Sequence, residues 1–163
     1  MKIVIAVDSF KGCLSSSSIA NAVEEGIQNT LPGCEMIKVP IADGGEGTVD
    51  ALVDATQGKI ITIPVHNPLM QPIQASYGMT GDGQTAIIEM SAASGLDLIP
   101  LRPGNVMDTT TYGTGEMIAD AIERGCRNFI IGVGGSATND AGTGMMQALG
   151  VRFTDEMGNE VEK

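Results

Sequence analysis

Tryptophan is absent from the 163 residues, and aromatic side chains of any kind are scarce, with two Tyr and three Phe. That argues against a base-stacking platform or an aromatic cofactor box. Basic residues are also few. Nine Lys and Arg face twenty Asp and Glu, a formal net charge of −11. A field of that sign suits neither the phosphates of a nucleic acid nor an anionic membrane surface, so no nucleic-acid or membrane partner is expected. No apolar run approaches the roughly 18 residues of a membrane span. The short apolar run in the N-terminal MKIVIAVDSF falls below the roughly 7–15 residues of a secretory core and reads as a buried strand. Cysteines stand only at 13, 34 and 126, with no CxxC or CxxH spacing. A disulfide scaffold and a structural zinc site are thereby disfavoured, and a reducing cytoplasm is expected. His66 is the one histidine, and the sequence offers it no partner, which removes Ser-His-Asp and Cys-His chemistry.

What the chain has in excess is glycine: 22 residues, near twice the roughly 7 % of an average protein. They fall in clusters, ADGGEGT at 42–48, TYGTGE at 111–116 and IGVGGSATNDAGTG at 131–144. Apolar residues at 42 % and charged residues at 18 % give a globular composition and not a disordered one, so these clusters are loops of a folded domain where backbone approaches a ligand or turns with positive φ.

Between the loops the pattern alternates strand and helix. Residues 2–7 are a β-branched apolar run, Ile19, Val23, Ile27 and Leu31 repeat at helical spacing until Pro32-Gly33, and 35–41 is a second strand. A helix with Val49, Leu52 and Val53 follows, then a third strand at 59–65. This order predicts an α/β fold with a parallel three-layer arrangement of sheet and helices. After His66 the prolines at 64, 68 and 72 and an alternating run before Gly81-Asp82-Gly83 predict an antiparallel hairpin opening a second α/β domain. The expected division is 1–66 and 67–163. A helix over 114–125, a strand over 128–133, a helix at Met145–Leu149 and a strand-turn-strand over the last thirteen residues complete the reading. A hairpin cut in its second strand suggests an N-terminal part of something longer.

Four loops offer chemistry. GVGGSATND follows a strand and leads to a helix, so Gly134, Gly135, Ser136, Thr138 and Asn139 are candidates to hold phosphate through backbone amides, side chains and the helix N-terminus. Asp140 would repel a bare pyrophosphate but suits one carried with Mg²⁺. The same loop matches GxGxxA at Gly132, Gly134 and Ala137, which leaves a dinucleotide-binding oxidoreductase as an alternative; no GxxxxGK[ST] loop occurs. Asp43 and Glu46, separated by two glycines, are candidates to hold Mg²⁺ or accept a hydroxyl proton, or else to sit at a helix N-terminus. In DSFKG, Asp8 is a base, metal ligand or cap, and Lys11 a partner for a carboxylate or phosphate oxygen. Thr114 and Glu116 read as helix caps, and Met117, Met145 and Met146 as packing.

Taken in order, DSFKG, PIADGGEGT, VHNPLMQPIQASYG, EMSAASGL, TTYGTGE and GVGGSATNDAGTGMMQALG resemble the bacterial glycerate kinases of the type-1 family, along the whole chain. Val7 stands where that family carries Pro before the Asp, and the family's members are about twice as long or more, so the resemblance is to their N-terminal part. It implies ATP-dependent, Mg²⁺-dependent phosphorylation of D-glycerate, usually to 2-phosphoglycerate in bacteria. It also implies two α/β domains with the active site between them, one completed by the C-terminal part. An inactive N-terminal remnant of such a kinase is the second expectation. Under the resemblance Asp8, Lys11, Asp43 and Glu46 become the catalytic candidates, Gly134–Asn139 the ATP loop, and Asp140 and Asp43 the metal candidates.

Overall fold

The computed structural model describes residues 1–10, 13–100 and 105–161. Its strands form two sheets, one of two strands and one of four. In the first, β1 (Lys2–Val7) pairs in parallel with β2 (Glu35–Pro40), Ile5 lying opposite Lys38. The crossover between them is α1 (Ser16–Thr30). Ser15 starts it, its Oγ accepting a hydrogen bond from the Ser18 amide at 3.2 Å, which satisfies one of the orphan donors of the first turn. α1 packs on both strands and helps bury Ile5. The period-2 alternation of β1 then leaves Val4 exposed, with Ile37 and Val39 of β2 also at the surface.

The second sheet runs in the order β3 (Lys59–His66), β4 (Pro72–Met79), β5 (Thr85–Glu89), β6 (Asn128–Gly132). β3 is not the third strand of a parallel layer, as the sequence order predicts. It pairs antiparallel with β4 along its whole length, from Lys59 opposite Met79 to His66 opposite Pro72. The turn between them is fixed by Asn67, whose Oδ1 accepts from the Leu69 and Gln71 amides at 2.9 Å each, a local closure that a parallel crossover does not allow. Pro64 fits because β3 is the sheet's edge, where a missing N–H costs no ladder bond. The β4–β5 hairpin around Gly81–Gly83 is present as expected, and β6 returns in parallel beside β5, with Glu89 opposite Gly132.

Helices cover this sheet on both faces. α2 (Thr48–Thr56) buries Val49 and Val53 against Ile87. On the other face Ile61, Ile63, Val65, Tyr77 and Ile88 pack with Met117 and Ala121 of α4 (Tyr112–Glu123). Short α3 (Ser91–Ser94) follows β5, and α5 (Thr143–Ala148) packs on α4. Two-sided burial explains why β5 is apolar without alternation. The C-terminal hairpin expected from the sequence reduces to one bridge, Thr154 to Glu160. The Asp155 side chain accepts from the Met157 and Asn159 amides at 2.9 Å each, so the turn forms without strands. No helix among the described residues is long and apolar enough to cross a membrane.

Candidate active site

The carboxyl ends of β5 and β6 open beside the segment that follows β2, and a cavity of about 550 Å³ lies there. Asp43, Gly45 and Glu46 line one side, Gly134 and Gly135 another, and Glu89, Ser91, Ala92, Gly95, Leu96 and Asp97 the rest. Two glycine clusters that lie about ninety residues apart in sequence thus form one site. Ligand crevices in α/β folds occur at such strand ends. The approach is possible only without side chains. A Cβ on Gly132 would run into the carbonyl oxygen of Gly44, and one on Gly134 would stand 3.0 Å from the Gly45 Cα. The 134–137 segment is further stitched to the start of the helical turn at 94–96, the Leu96 amide donating to Gly135 O at 3.0 Å and the Ala137 amide to Ser94 O at 2.9 Å.

The expected site residues divide into groups. Asp43 and Glu46 line the cavity, with Asp43 Oδ1 accepting from the Gly45 amide at 3.0 Å. Gly134 and Gly135 join them. Ser136, Thr138, Asn139 and Asp140 turn to the other side of the loop and line a second cavity of about 520 Å³ with Ile131, Val133 and Met145. Ser136 Oγ lies 3.0 Å from Thr138 Oγ1 and accepts from the Thr138 amide at 3.1 Å. Asp8 directly follows β1 outside the first cavity and accepts from the Ser9 amide at 2.7 Å, while Ser9 Oγ makes a long contact of 3.4 Å to the Glu46 carbonyl. Lys11 lies outside the described residues. Glu116 does not cap α4 but takes the His66 amide at 2.7 Å and the His66 ring Nδ1 at 2.9 Å, tying the end of β3 to the helix.

Asp140 stands differently from the cation ligand expected of it. Its Oδ2 accepts from the Thr111 amide at 2.9 Å, the Thr111 hydroxyl at 2.8 Å and the Gly144 amide at 3.1 Å, and its Oδ1 from the Gly142 amide at 3.0 Å. Four protein donors thus engage this carboxylate, three at Oδ2 and one at Oδ1. Two of these donors, the Gly142 and Gly144 amides, belong to the start of α5. Burial pushes the Asp140 carboxyl up, but the Thr111 and glycine donors outweigh it and hold it below the ordinary carboxylate range. A native value below the unfolded one adds stability that is fully present above the unfolded value, roughly pH 4, and disappears as pH falls through the native value. Asp140→Asn should therefore lower the urea midpoint at neutral pH and flatten its fall as pH drops below about 4; an acid limb as steep as wild type would contradict this.

Sequence reasoning missed Glu89. Its Oε1 accepts from the Val49 amide at 2.9 Å, across 40 residues. Burial is the main cause that raises its carboxyl above the ordinary range, against the pull of the Val49, Thr48 and Gly47 amides. The available signal was a lone acid closing an apolar strand, TAIIEM, where a strand's carboxyl end meets a crevice. Four carboxylates, Asp43, Glu46, Glu89 and Asp97, and no Lys, Arg or His stand among the described residues lining the cavity. No three His, Cys, Asp or Glu side chains among the described residues form a metal cluster by themselves. That donor set fits Mg²⁺, which is commonly held by one or two carboxylates with substrate phosphates and water completing its shell. It fits poorly with a dinucleotide fold, because the helix that should open directly after the glycines begins only at Thr143.

Comparison with known proteins identifies the family of the chain. The chain is 55 % identical to a glycerate kinase of Bacillus subtilis (strain 168) and 53 % identical to a glycerate 2-kinase of Escherichia coli (strain K12), each over 99 % of this chain and 42 % of the relative. A crystal structure described as "putative glycerate kinase 2" from Salmonella typhimurium LT2 superposes with a TM-score of 0.89 at 50 % identity, covering 99 % of this chain and 43 % of that one. The chain thus spans less than half the length of these relatives. The model of the glycerate kinase family matches residues 3–163, and with that match running almost end to end, this chain belongs to the glycerate kinase family.

Proposed function

We propose that this chain carries the phosphoryl-transfer site of an ATP-dependent kinase that converts D-glycerate to 2-phosphoglycerate. The observation that supports it most is the meeting of the 43–46 and 134–135 loops around one acidic cavity. Phosphoryl transfer asks a protein for positioning and charge stabilisation more than for covalent chemistry. In this reading Gly134 and Gly135 present backbone to the ATP phosphates, and Ser136, Thr138 and Asn139 take the rest of the nucleotide on the far side of the loop. Mg²⁺, when bound, neutralises phosphate oxygens, and Asp43 with Glu46 would hold it. Asp43 is assigned the acidic work of the site, holding the cation or taking the glycerate hydroxyl proton. Asp140 is assigned a clamp on the 140–144 turn and not a metal. With no cation among the described lining residues, Lys11 is assigned to the glycerate carboxylate, with Asp8 beside it on the same loop. Because β3 shares a sheet with β4, β5 and β6, the division proposed is a small lobe of residues 1–41 and a larger one from 42 on, in place of the expected 1–66 and 67–163, and the remainder of a longer protein covers the exposed Val4, Ile37 and Val39 face.

The test is ADP release by the full-length gene product, with D-glycerate, ATP and Mg²⁺ omitted in turn. Turnover that needs all three is the expected result. ADP release that is indifferent to D-glycerate would reject the acceptor, and NAD(H) binding without ATP binding would favour the oxidoreductase.

A further inference from the structure

We propose that Glu89 is a positioning residue, which sets where Asp43 and Glu46 stand against Gly134 and Gly135. This rests on the kinase reading above for its consequence in catalysis, but not for its geometry. α2 has no side-chain cap of its own: Gly47 occupies the N-cap position with φ +93° and contributes no side chain. The orphan amides of a first helical turn need acceptors when they are buried. Glu89 supplies one from another part of the fold, its Oε1 taking the Val49 amide at 2.9 Å. Glu89 lies opposite Gly132 in the β5–β6 ladder, and Gly132 is the residue against which the Gly44 carbonyl packs. The ends of two neighbouring strands therefore grip the 44–49 segment at two points, one by hydrogen bond and one by close contact. Glu46 sits on that segment and Asp43 directly before it. Glu89 thus takes one of the first-turn amides of α2, and the helix is held as a strut for the acidic loop.

The experiment compares wild type, Glu89→Ala and Glu89→Gln in the full-length protein by steady-state kinetics and backbone amide exchange. Gln keeps an oxygen that can accept from Val49. Glu89→Ala should lose about 10²-fold in kcat, as expected for a small displacement of reacting groups, with KM values for ATP and D-glycerate within about threefold. Exchange at the Val49 and Gly134 amides should quicken by about tenfold or more. Glu89→Gln should regain most of both. An Ala variant with wild-type turnover and wild-type exchange overturns the proposal. So does a Gln variant as slow as Ala with wild-type exchange, because the carboxyl group would then be reacting and not positioning. Should Glu89→Ala fail to fold, Glu89→Gln decides alone: turnover within about tenfold of wild type upholds the proposal. If the wild type itself releases no ADP with D-glycerate, the kinase reading fails separately. Exchange still decides the geometry, since unchanged protection at Val49 and Gly134 in the variant overturns the grip.

Discussion

Gly132→Ala should reduce glycerate-dependent turnover of the full-length protein by about 10²-fold or more, with a stability loss of only about 1–3 kcal/mol. The added Cβ would meet a backbone oxygen, that of Gly44, and not the end of a flexible side chain. Something must move, and the loop is the softer partner: Gly132 is locked in the β5–β6 ladder, while the 41–47 segment joins β2 to α2 with no ladder of its own. The 43–46 carboxylates would shift away from Gly134 and Gly135. Gly26→Ala is the control, since nothing stands within 4 Å of a Cβ there; it should leave turnover unchanged. Equal turnover in wild type and Gly132→Ala, measured as kcat, would show that close apposition of the two loops is not needed.

Asp43→Asn should lower kcat by at least about 10²-fold. The substitution keeps the size of the side chain and an acceptor for the Gly45 amide, so the loop's local turn survives. What it removes is the negative charge in the cavity. If that charge holds the cation, raising Mg²⁺ should restore part of the rate; if it takes the hydroxyl proton, Mg²⁺ should restore none. Turnover near wild type at ordinary Mg²⁺ would discard both roles and move the acidic work to Glu46 or Asp8.

The loops were readable because clustered glycine between apolar runs has few explanations other than close backbone approach. The ADGGEGT and GVGGS segments accordingly meet at one cavity. α1 was readable from its fourfold spacing and the serines before it. β3 was not. KIITIPV looks the same whether its neighbour is parallel or antiparallel, and the deciding feature is the Asn67 side chain folding back on its own turn. The surroundings of Asp140 are hidden from the sequence for a related reason. Its partners include Thr111, 29 residues earlier, and nothing in SATND reveals that a distant loop fills a carboxylate. Glu89 escaped because it closes an apolar run, where a single acid reads as a strand end until α2 is seen beside it. Local turns and periodicity are properties of neighbouring residues, whereas these pairings are properties of the packed chain.

In the proposed function the nucleotide's phosphates enter the cavity between the 43–46 and 134–135 loops. The most direct measurement is backbone NMR of the protein titrated with Mg²⁺ and a non-hydrolysable ATP analogue. The amides of Gly45, Gly134 and Gly135 should shift together and saturate with one affinity. Saturable shifts confined to the cavity around Ser15–Ser17 and Asp50, or to that around Tyr112 and Arg152, with those three glycines unmoved, would contradict it.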